Sequence, residues 1–353
     1  MKILYVLPNL NVGGVSRIVN DLAAGMQEKG HDITILTLNK HDKLVYVSDK
    51  IKIIELHIQS KKSLFTGVLK IAKIINSEKP DIVHSHALYS HLFVRIASLF
   101  CSKTKYIASE HGTMNSSLSK ALGFVLMRKT NFLSDLITNV SQSSVDSYIK
   151  YNIVKKNKMI CVYNGVNLDK FEKKEHIESL SKILYVGRIT KEKNLHLLID
   201  ILAGIKDQNY ICDIIGDGDQ LEKVKNYVLE NNLDSKVTFL GKRLDVPAIM
   251  KNYDILFLTS FTEGLPTVLI EAISSKILVL STDCGGVKEI LDGFSFLVAE
   301  NNNKNDFLQK FNKLKEMKFN SIIDNLYNIA ETKFSNENMI LSWETIYENI
   351  LSK

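Results

Sequence analysis

Residues 262–272 read TEGLPTVLIEA and carry two glutamates, Glu263 and Glu271, eight positions apart. Paired carboxylates are the equipment of general acid–base cleavage, as in a glycosidase, but the spacing argues against a shared bond. Pro266 lacks an N–H and has its φ preset for a first helical turn, so a helix is expected to start there. That places Glu263 in the preceding loop and Glu271 in the second turn. At 1.5 Å per residue the two stand roughly 10 Å apart along the axis, about twice what a retaining glycosidase uses. Between them a helix N-terminus offers backbone donors at Leu265, Thr267 and Val268, a seat for an anion. The ligand implied is long, with a negative middle.

Other residues fit such a ligand. In VGRITKEKN, Arg188 and Lys193 are five apart. Arg188 is expected at a strand end and Lys193 near the next helix, where a fork and a point charge could converge on a diphosphate. A plain surface pair is the alternative. PNLNVGGVSR opens a helix after the first strand, and Gly13 and Gly14 would admit a phosphate or sugar close to the backbone, or simply make a turn. It is not a GxGxxG, and no acidic residue ends the second strand, which argues against a dinucleotide-binding dehydrogenase. Asp217 and Asp219 in IIGDGDQLEK read as a helix cap at the head of QLEKVKNYV, the alternative being a divalent cation beside a phosphate. His84 and His86 share one face of a strand, His91 follows, and His111 lies just past the next strand in SEHGTM. His84 is expected in the sheet packing. His111 is expected at a strand mouth, able to hydrogen-bond a polar substrate. A metal held by His84, His86 and His111 lacks supporting carboxylates, and no metal is expected.

Thirteen short apolar, β-branched runs position these residues. In the first half they are 2–8, 32–38, 51–56, 81–86, 105–110, 136–140 and 159–164. In the second they are 182–187, 210–216, 236–241, 254–260, 277–282 and 296–299. Helical stretches separate them, the mark of parallel βαβ sheets. Both halves start on KILYV. The expected organisation is a first domain 1–165, a polar linker 166–182, a second domain 183–330, and a terminal helix over 331–353, where apolar residues recur at helical spacing. In doubly wound sheets ligands bind beyond the carboxyl ends of strands, and the motifs fall there.

The 353 residues suit about two domains. Composition is that of an ordinary globular chain, 45% hydrophobic and 24% charged. No apolar run reaches the roughly 18 residues that span a bilayer. MKILYVLPNLNVGG reads as a first strand and not as a signal peptide. Four scattered cysteines without a CxxC suit a reducing, cytoplasmic setting. Residues 1–165 hold 22 Lys and Arg against 11 Asp and Glu, while the remainder holds 23 against 28. The basic half is expected to face an anionic membrane or phosphorylated acceptor, or else its lysines merely solvate helix faces. Nucleic acid is not expected, since basic and aromatic residues do not interleave on a strand platform. SLSKALGFVLMRKTNFL (117–133) reads either as an amphipathic element resting on a membrane or as an ordinary helix covering the sheet.

Taken together, these motifs resemble the GT-B fold glycosyltransferases called group 1, or family 4. The resemblance is strongest over 183–299, through the E-x7-E string from Glu263 to Glu271 and TDCGGVKEIL (282–291), and clear at the glycine loop, at DIVHSH and at SEHGT. VYNGVN (162–167) resembles the family's domain junction. The resemblance implies two Rossmann-like domains facing across a cleft, the first on the acceptor side and the second binding the nucleotide sugar, with the helix over 331–353 crossing back to the first. It also implies a retaining transfer of a hexose or N-acetylhexosamine from a UDP-sugar. Its acceptor would be a lipid-linked or cell-surface glycan, and the chain would be cytoplasmic and peripheral on the inner membrane face. By position, Glu271 would hold the ribose hydroxyls and Glu263 would sit near the donor sugar. Backbone of Gly264, Leu265, Thr267 and Val268 would surround sugar and phosphate. Arg188 and Lys193 would grip the diphosphate with Gly14 approaching it, Arg243 would meet the base largely through its backbone, and His111 would line the sugar and acceptor side. Two cations and a helix N-terminus would stabilise the leaving diphosphate, so neither cofactor nor metal is implied. Where relatives read EAMACGTPV this chain reads EAISSKILV, with Lys276 and Leu278 for Gly and Pro, and EKN stands where Lys-Gly is common. The alternatives are a GT-B-like sugar-nucleotide epimerase and a nucleotide-sugar-binding scaffold without turnover.

Overall fold

The computed structural model describes residues 1–11, 13–40, 47–58, 63–101 and 104–352. Val12 of the glycine loop and Lys353 of the expected terminal helix lie outside the described residues. The chain forms two compact units. The first is Met1–Gly165 together with the chain from Asn336 onward, and the second is Val166–Ser335.

In the first unit β1 (Lys2–Leu7), α1 (Gly14–Glu28), β2 (Asp32–Thr37), β3 (Lys52–Glu55), α2 (Ser63–Glu78), β4 (Ile82–His86), α3 (Leu88–Ser98), β5 (Lys105–Glu110), α4 (Leu122–Thr130), β6 (Leu136–Asn139), α5 (Gln142–Lys150) and β7 (Met159–Cys161) follow in order. The strands make one parallel sheet ordered β3-β2-β1-β4-β5-β6-β7. Its two faces are covered separately, as strand alternation requires. Ile3, Tyr5 and Leu7 of β1 pack toward α1, in a core shared with Met339, Trp343 and Tyr347. Leu4 and Val6 pack the other way, with residues of α2 and α3.

The second unit has β8 (Lys182–Val186), α6 (Leu195–Gly204), β9 (Ile211–Ile215), α7 (Leu221–Glu230), β10 (Val237–Gly241), α8 (Val246–Ile249), β11 (Ile255–Leu258), α9 (Thr267–Ser274), β12 (Leu278–Thr282), α10 (Val287–Ile290), β13 (Val298–Ala299), α11 (Lys304–Leu314) and α12 (Phe319–Phe334). Its parallel sheet is ordered β10-β9-β8-β11-β12-β13. All thirteen expected strands are present, and both units are Rossmann-like.

The stretch expected as a linker, 166–182, is part of the second unit. Leu168, Phe171, Ile177 and Leu180 are buried, and Lys174 pairs with Asp254 at 3.0 Å. Its charged residues alternate with apolar anchors, which composition alone hides. The expected helix over 331–353 is divided. Residues 331–334 finish α12, Ser335 is extended with ψ 154, and α13 (Asn336–Leu351) packs on α1. Beside that break Val166 N–H donates to the Phe334 carbonyl at 2.8 Å.

Lys276, standing where relatives carry glycine, has φ 56. Its backbone is in the left-handed region that glycine enters freely. Its ammonium pairs with Asp324 at 2.9 Å.

Candidate active site

The strand order of the second unit reverses between β8 and β11, and the loops leaving those two strands carry the candidate residues Arg188, Lys193 and Glu263. That reversal is where open α/β sheets bind ligands. After β8 the chain keeps pairing with the loop beyond β9, through Gly187 N–H to the Ile215 carbonyl at 3.0 Å and Ile189 N–H to the Asp217 carbonyl at 2.9 Å. This crossing is so close that a Cβ on Gly216, whose φ is 148, would sit 1.8 Å from the Gly187 carbonyl oxygen. A 3-10 turn over Lys191–Lys193 follows, closed by Asn194 at φ 49. The turn is tied to the loop after β11 by Phe261 N–H donating to the Glu192 carbonyl at 2.8 Å and by Thr259 Oγ1 donating to the Lys193 carbonyl at 3.3 Å.

Those ties aim Lys193 at Glu263. Lys193 Nζ and Glu263 Oε1 are 2.6 Å apart, with side chains 20% and 11% exposed. Ser260 Oγ donates to the same carboxylate oxygen at 2.6 Å. Below them lies Tyr185, whose hydroxyl donates to the Arg188 carbonyl at 3.1 Å. Burial first, and then the Glu263 charge, hold the Tyr185 phenol above its ordinary range, while Arg188 acts in the opposite sense. Cys284 is likewise pushed up to about 12 by burial, with the Glu263 charge adding to it. Arg188 itself is exposed.

Glu263 is fixed from behind by the glycine pair of TDCGG. Gly286 N–H donates to the Gly264 carbonyl at 2.8 Å. Gly285 has φ 54, and a Cβ there would lie 2.0 Å from the Glu263 carbonyl oxygen. The helix expected from Pro266 begins one residue later, with Pro266 as its N-cap and no side-chain cap bond. The amides of Thr267 and Val268 thus head α9 without an intrahelical acceptor. Glu271 is the fifth residue of α9 and is buried.

The remaining site residues stand differently. Both ends of the Arg243 guanidinium are held by Asp245, at 2.8 and 2.5 Å. Asp217 accepts from Gly218 N–H at 2.8 Å and pairs with Lys242 at 3.2 Å, which together lower its pKa, Lys242 first. The expected acidic cap is not made, because the N-cap of α7 is Gln220 and no side chain bonds there. Among the described residues no three His, Cys, Asp or Glu are disposed to hold a metal.

In the first unit the order reverses between β1 and β4, and Gly14 heads the helix after β1. Gly13 is extended at φ 179, and a Cβ on Gly14 would meet no atom within 4 Å. The chain's own folding therefore does not demand glycine at either position. At the ends of β4 and β5, His86 Nδ1 and His111 Nε2 are 3.0 Å apart. Asn139 Nδ2 holds the Gly112 carbonyl at 3.1 Å, which seats the His111 loop. His84 is fully buried, its Nδ1 2.7 Å from the Tyr347 hydroxyl and its Nε2 2.6 Å from Ser109 Oγ. His91, also buried, lies 3.3 Å from Glu110. Burial drives the pKa of His84 and His86 well below the usual histidine range and that of His111 down to about 4, the Glu110 charge opposing it at His111.

The structure thus brings Lys193 and Glu263 together, holds the Arg188 backbone at the Tyr185 hydroxyl, and joins His111 to His86. Ser260, Tyr185 and Gly285 were not foreseen as site residues. A Thr-Ser pair ending the apolar run DILFLTS was the one sequence signal for Ser260.

Comparison with known proteins follows the same division. Residues 12–170 match the family described as Glycosyltransferase Family 4, and residues 167–331 match Glycosyl transferases group 1. An uncharacterized glycosyltransferase of Methanocaldococcus jannaschii is 30% identical over 359 aligned residues, covering 96% of this chain and 95% of that one. The UDP-Gal:alpha-D-GlcNAc-diphosphoundecaprenol alpha-1,3-galactosyltransferase of Escherichia coli is 29% identical over 65% of each chain. Among solved structures, Anabaena HepE in complex with UDP superposes with a TM-score of 0.84 over the full length of both chains at 18% identity.

Proposed function

The chain belongs to the group 1 and family 4 glycosyltransferases, hexosyltransferases of GT-B fold, and from that premise we propose that it moves a hexose or N-acetylhexosamine from a UDP-sugar to a lipid-linked or cell-surface glycan, retaining anomeric configuration. The observation that carries the reading is the Lys193–Glu263–Ser260 cluster beside the open N-terminus of α9. It sets a cation, a carboxylate and backbone donors within one strand-end crevice. The reaction requires a diphosphate to leave an anomeric carbon, with negative charge growing on the phosphate and positive charge on the sugar. Arg188, Lys193 and the α9 amides stabilise the first, and Glu263 the second. Glu271 takes the ribose hydroxyls, the loop backbone at Arg243 meets the base, and Gly14 and His111 meet phosphate and sugar. With these cations in place the departing group needs no divalent ion. The acceptor's proton passes to the departing phosphate oxygen as the new glycosidic bond forms. The name of the Escherichia coli relative, with its UDP-sugar donor and diphosphoundecaprenol acceptor, supports this choice of substrates.

An anionic membrane surface is part of the proposal. Residues 117–133 form a 3-10 turn, α4 and a second turn. Met127 faces the core, while Leu118, Leu122, Leu126 and Phe132 are 42, 74, 42 and 75% exposed. Leu122 and Leu126, one turn apart on α4, with Lys120, Arg128 and Lys129 nearby in sequence, suit an interfacial helix. No helix among the described residues is long and apolar enough to cross a membrane.

The test is incorporation of label from UDP-, GDP- and ADP-sugars into a lipid extract with EDTA present. Incorporation from a UDP-sugar alone supports the reading. Conversion of the donor without an acceptor favours an epimerase, binding without turnover favours a scaffold, and no nucleotide binding at all refutes the assignment.

A further inference from the structure

His86 and His111 share one hydrogen bond, and the surroundings decide its direction. The His86 ring is 1% exposed and lies between His84 and His111, with centroids 4.1 and 5.3 Å away. Burial disfavours the charged form of all three rings, so each carries a single N–H. If His111 donated from Nε2, the proton of His86 would have to sit on its own Nε2. That atom is buried and has no partner among the described residues. A buried orphan N–H is rarer and costlier than an unused acceptor lone pair. The opposite direction avoids it: His86 donates from Nδ1, and His111 accepts at Nε2 and keeps its own proton on Nδ1. His84 does not compete, since both of its nitrogens are engaged with Tyr347 and Ser109.

We propose that His86 is a positioning residue that fixes His111 as the Nδ1–H tautomer, so that His111 meets a bound sugar as a hydrogen-bond donor and not as a general base. The second half rests on the reading of His111 as a sugar-side residue. The recognised group is a hydroxyl or anionic oxygen with a free lone pair. A base at this place would need the Nε2 lone pair, which His86 occupies.

Long-range proton–nitrogen correlation on the whole chain labelled with 15N-histidine reads each tautomer directly, with signals assigned from His86→Asn and His111→Ala. The expected spectrum has His111 protonated on Nδ1 and bare on Nε2. His86→Asn places an amide donor where Nδ1 was, and is expected to keep that tautomer and to hold transfer within about threefold. His86→Leu removes the donor. It should leave His111 in mixed tautomers and lower kcat about tenfold, the size of one hydrogen bond, with a smaller change in donor KM. Protonation of His111 on Nε2 in the wild-type chain overturns the proposal, and needs no variant to fold. An unchanged His111 tautomer in His86→Leu does the same. Transfer by His111→Ala at the wild-type rate would remove the sugar-side reading, while the spectrum separately decides whether His86 sets the tautomer.

Discussion

Glu263→Gln is the sharpest perturbation the site offers, because the carboxylate and the proposed diphosphate compete for one cation. Lys193 Nζ sits 2.6 Å from Glu263 Oε1, in a pair that is 20% and 11% exposed. With desolvation offsetting much of the Coulomb attraction, a charge-assisted pair of this kind is worth roughly 1–2 kcal/mol net. A UDP diphosphate recruiting Lys193 must overcome that attraction and accept the neighbouring negative charge. The amide keeps the shape and can still accept from Ser260, but it releases the cation. UDP binding should therefore tighten about 5- to 30-fold, one decade for each ~1.4 kcal/mol. Transfer should fall on the order of a hundredfold, because the charge that meets the sugar's developing positive centre is gone. Titration calorimetry with UDP at two salt concentrations, alongside initial transfer rates, measures both. The affinity gain should shrink at high salt, where a partly exposed pair is screened. Unchanged or weaker UDP binding in Glu263→Gln would refute the reasoning, since Lys193 would then not serve the diphosphate.

Other predictions follow from the same geometry. Gly285→Ala places a Cβ 2.0 Å from the Glu263 carbonyl oxygen at φ 54; it should cost about 2–4 kcal/mol in urea unfolding and abolish most transfer. At the left-handed Lys276, Lys276→Gly should stay within about 1 kcal/mol of wild type, relief of strain offsetting glycine entropy and the half-exposed Asp324 pair, whereas Lys276→Val should lose ~1–2 kcal/mol. The first unit should be acid-sensitive. His111 falls from 6.5 to about 4 in the folded chain, so its stabilisation is complete above pH 6.5 and is lost as pH falls toward 4, roughly 3 kcal/mol in all. His84 and His86 act in the same sense. The single tryptophan, Trp343, lies 4.4 Å from His84, so its fluorescence in denaturant at pH 7 and pH 5 reports the loss; equal midpoints would count against neutral buried rings.

The sheets were legible because parallel strands covered on both faces read as unbroken apolar runs, and KILYV opens both β1 and β8 in this form. The loops were legible by position, since polar residues straight after such runs must fall at strand ends. Arg188, Lys193, Glu263 and His111 were placed in loops after strands that way, and the structure has them there. What stayed hidden were pairings made across the chain. Lys193 and Glu263 are seventy residues apart, and their meeting depends on β8 lying next to β11, which no local pattern encodes. His86 read only as sharing a strand face with His84 or as a metal ligand, because its partner depends on the register of β4 against β5, where His86 faces Ser109. Ser335 looked like one more helical position, yet its extended backbone separates two helices that belong to different units.

The placement of α13 sets an order of events for the growing chain. Tyr347 closes a line of buried hydroxyls and imidazole from Tyr5 through His84 to Ser109, and Glu344 ties Lys29 and His31. The β-sheet holding His86 and His111 is synthesised first, but the covering that α13 supplies is made only from Asn336 onward, after a complete contiguous unit, Val166–Ser335, that can fold as it emerges. During that interval the histidine face is wet and its rings can take up protons. Truncation near residue 335 would freeze the chain at this stage, with the second unit intact and the first unable to dry its histidines. A helix remote in sequence from every candidate ligand contact thereby controls when the site comes into being.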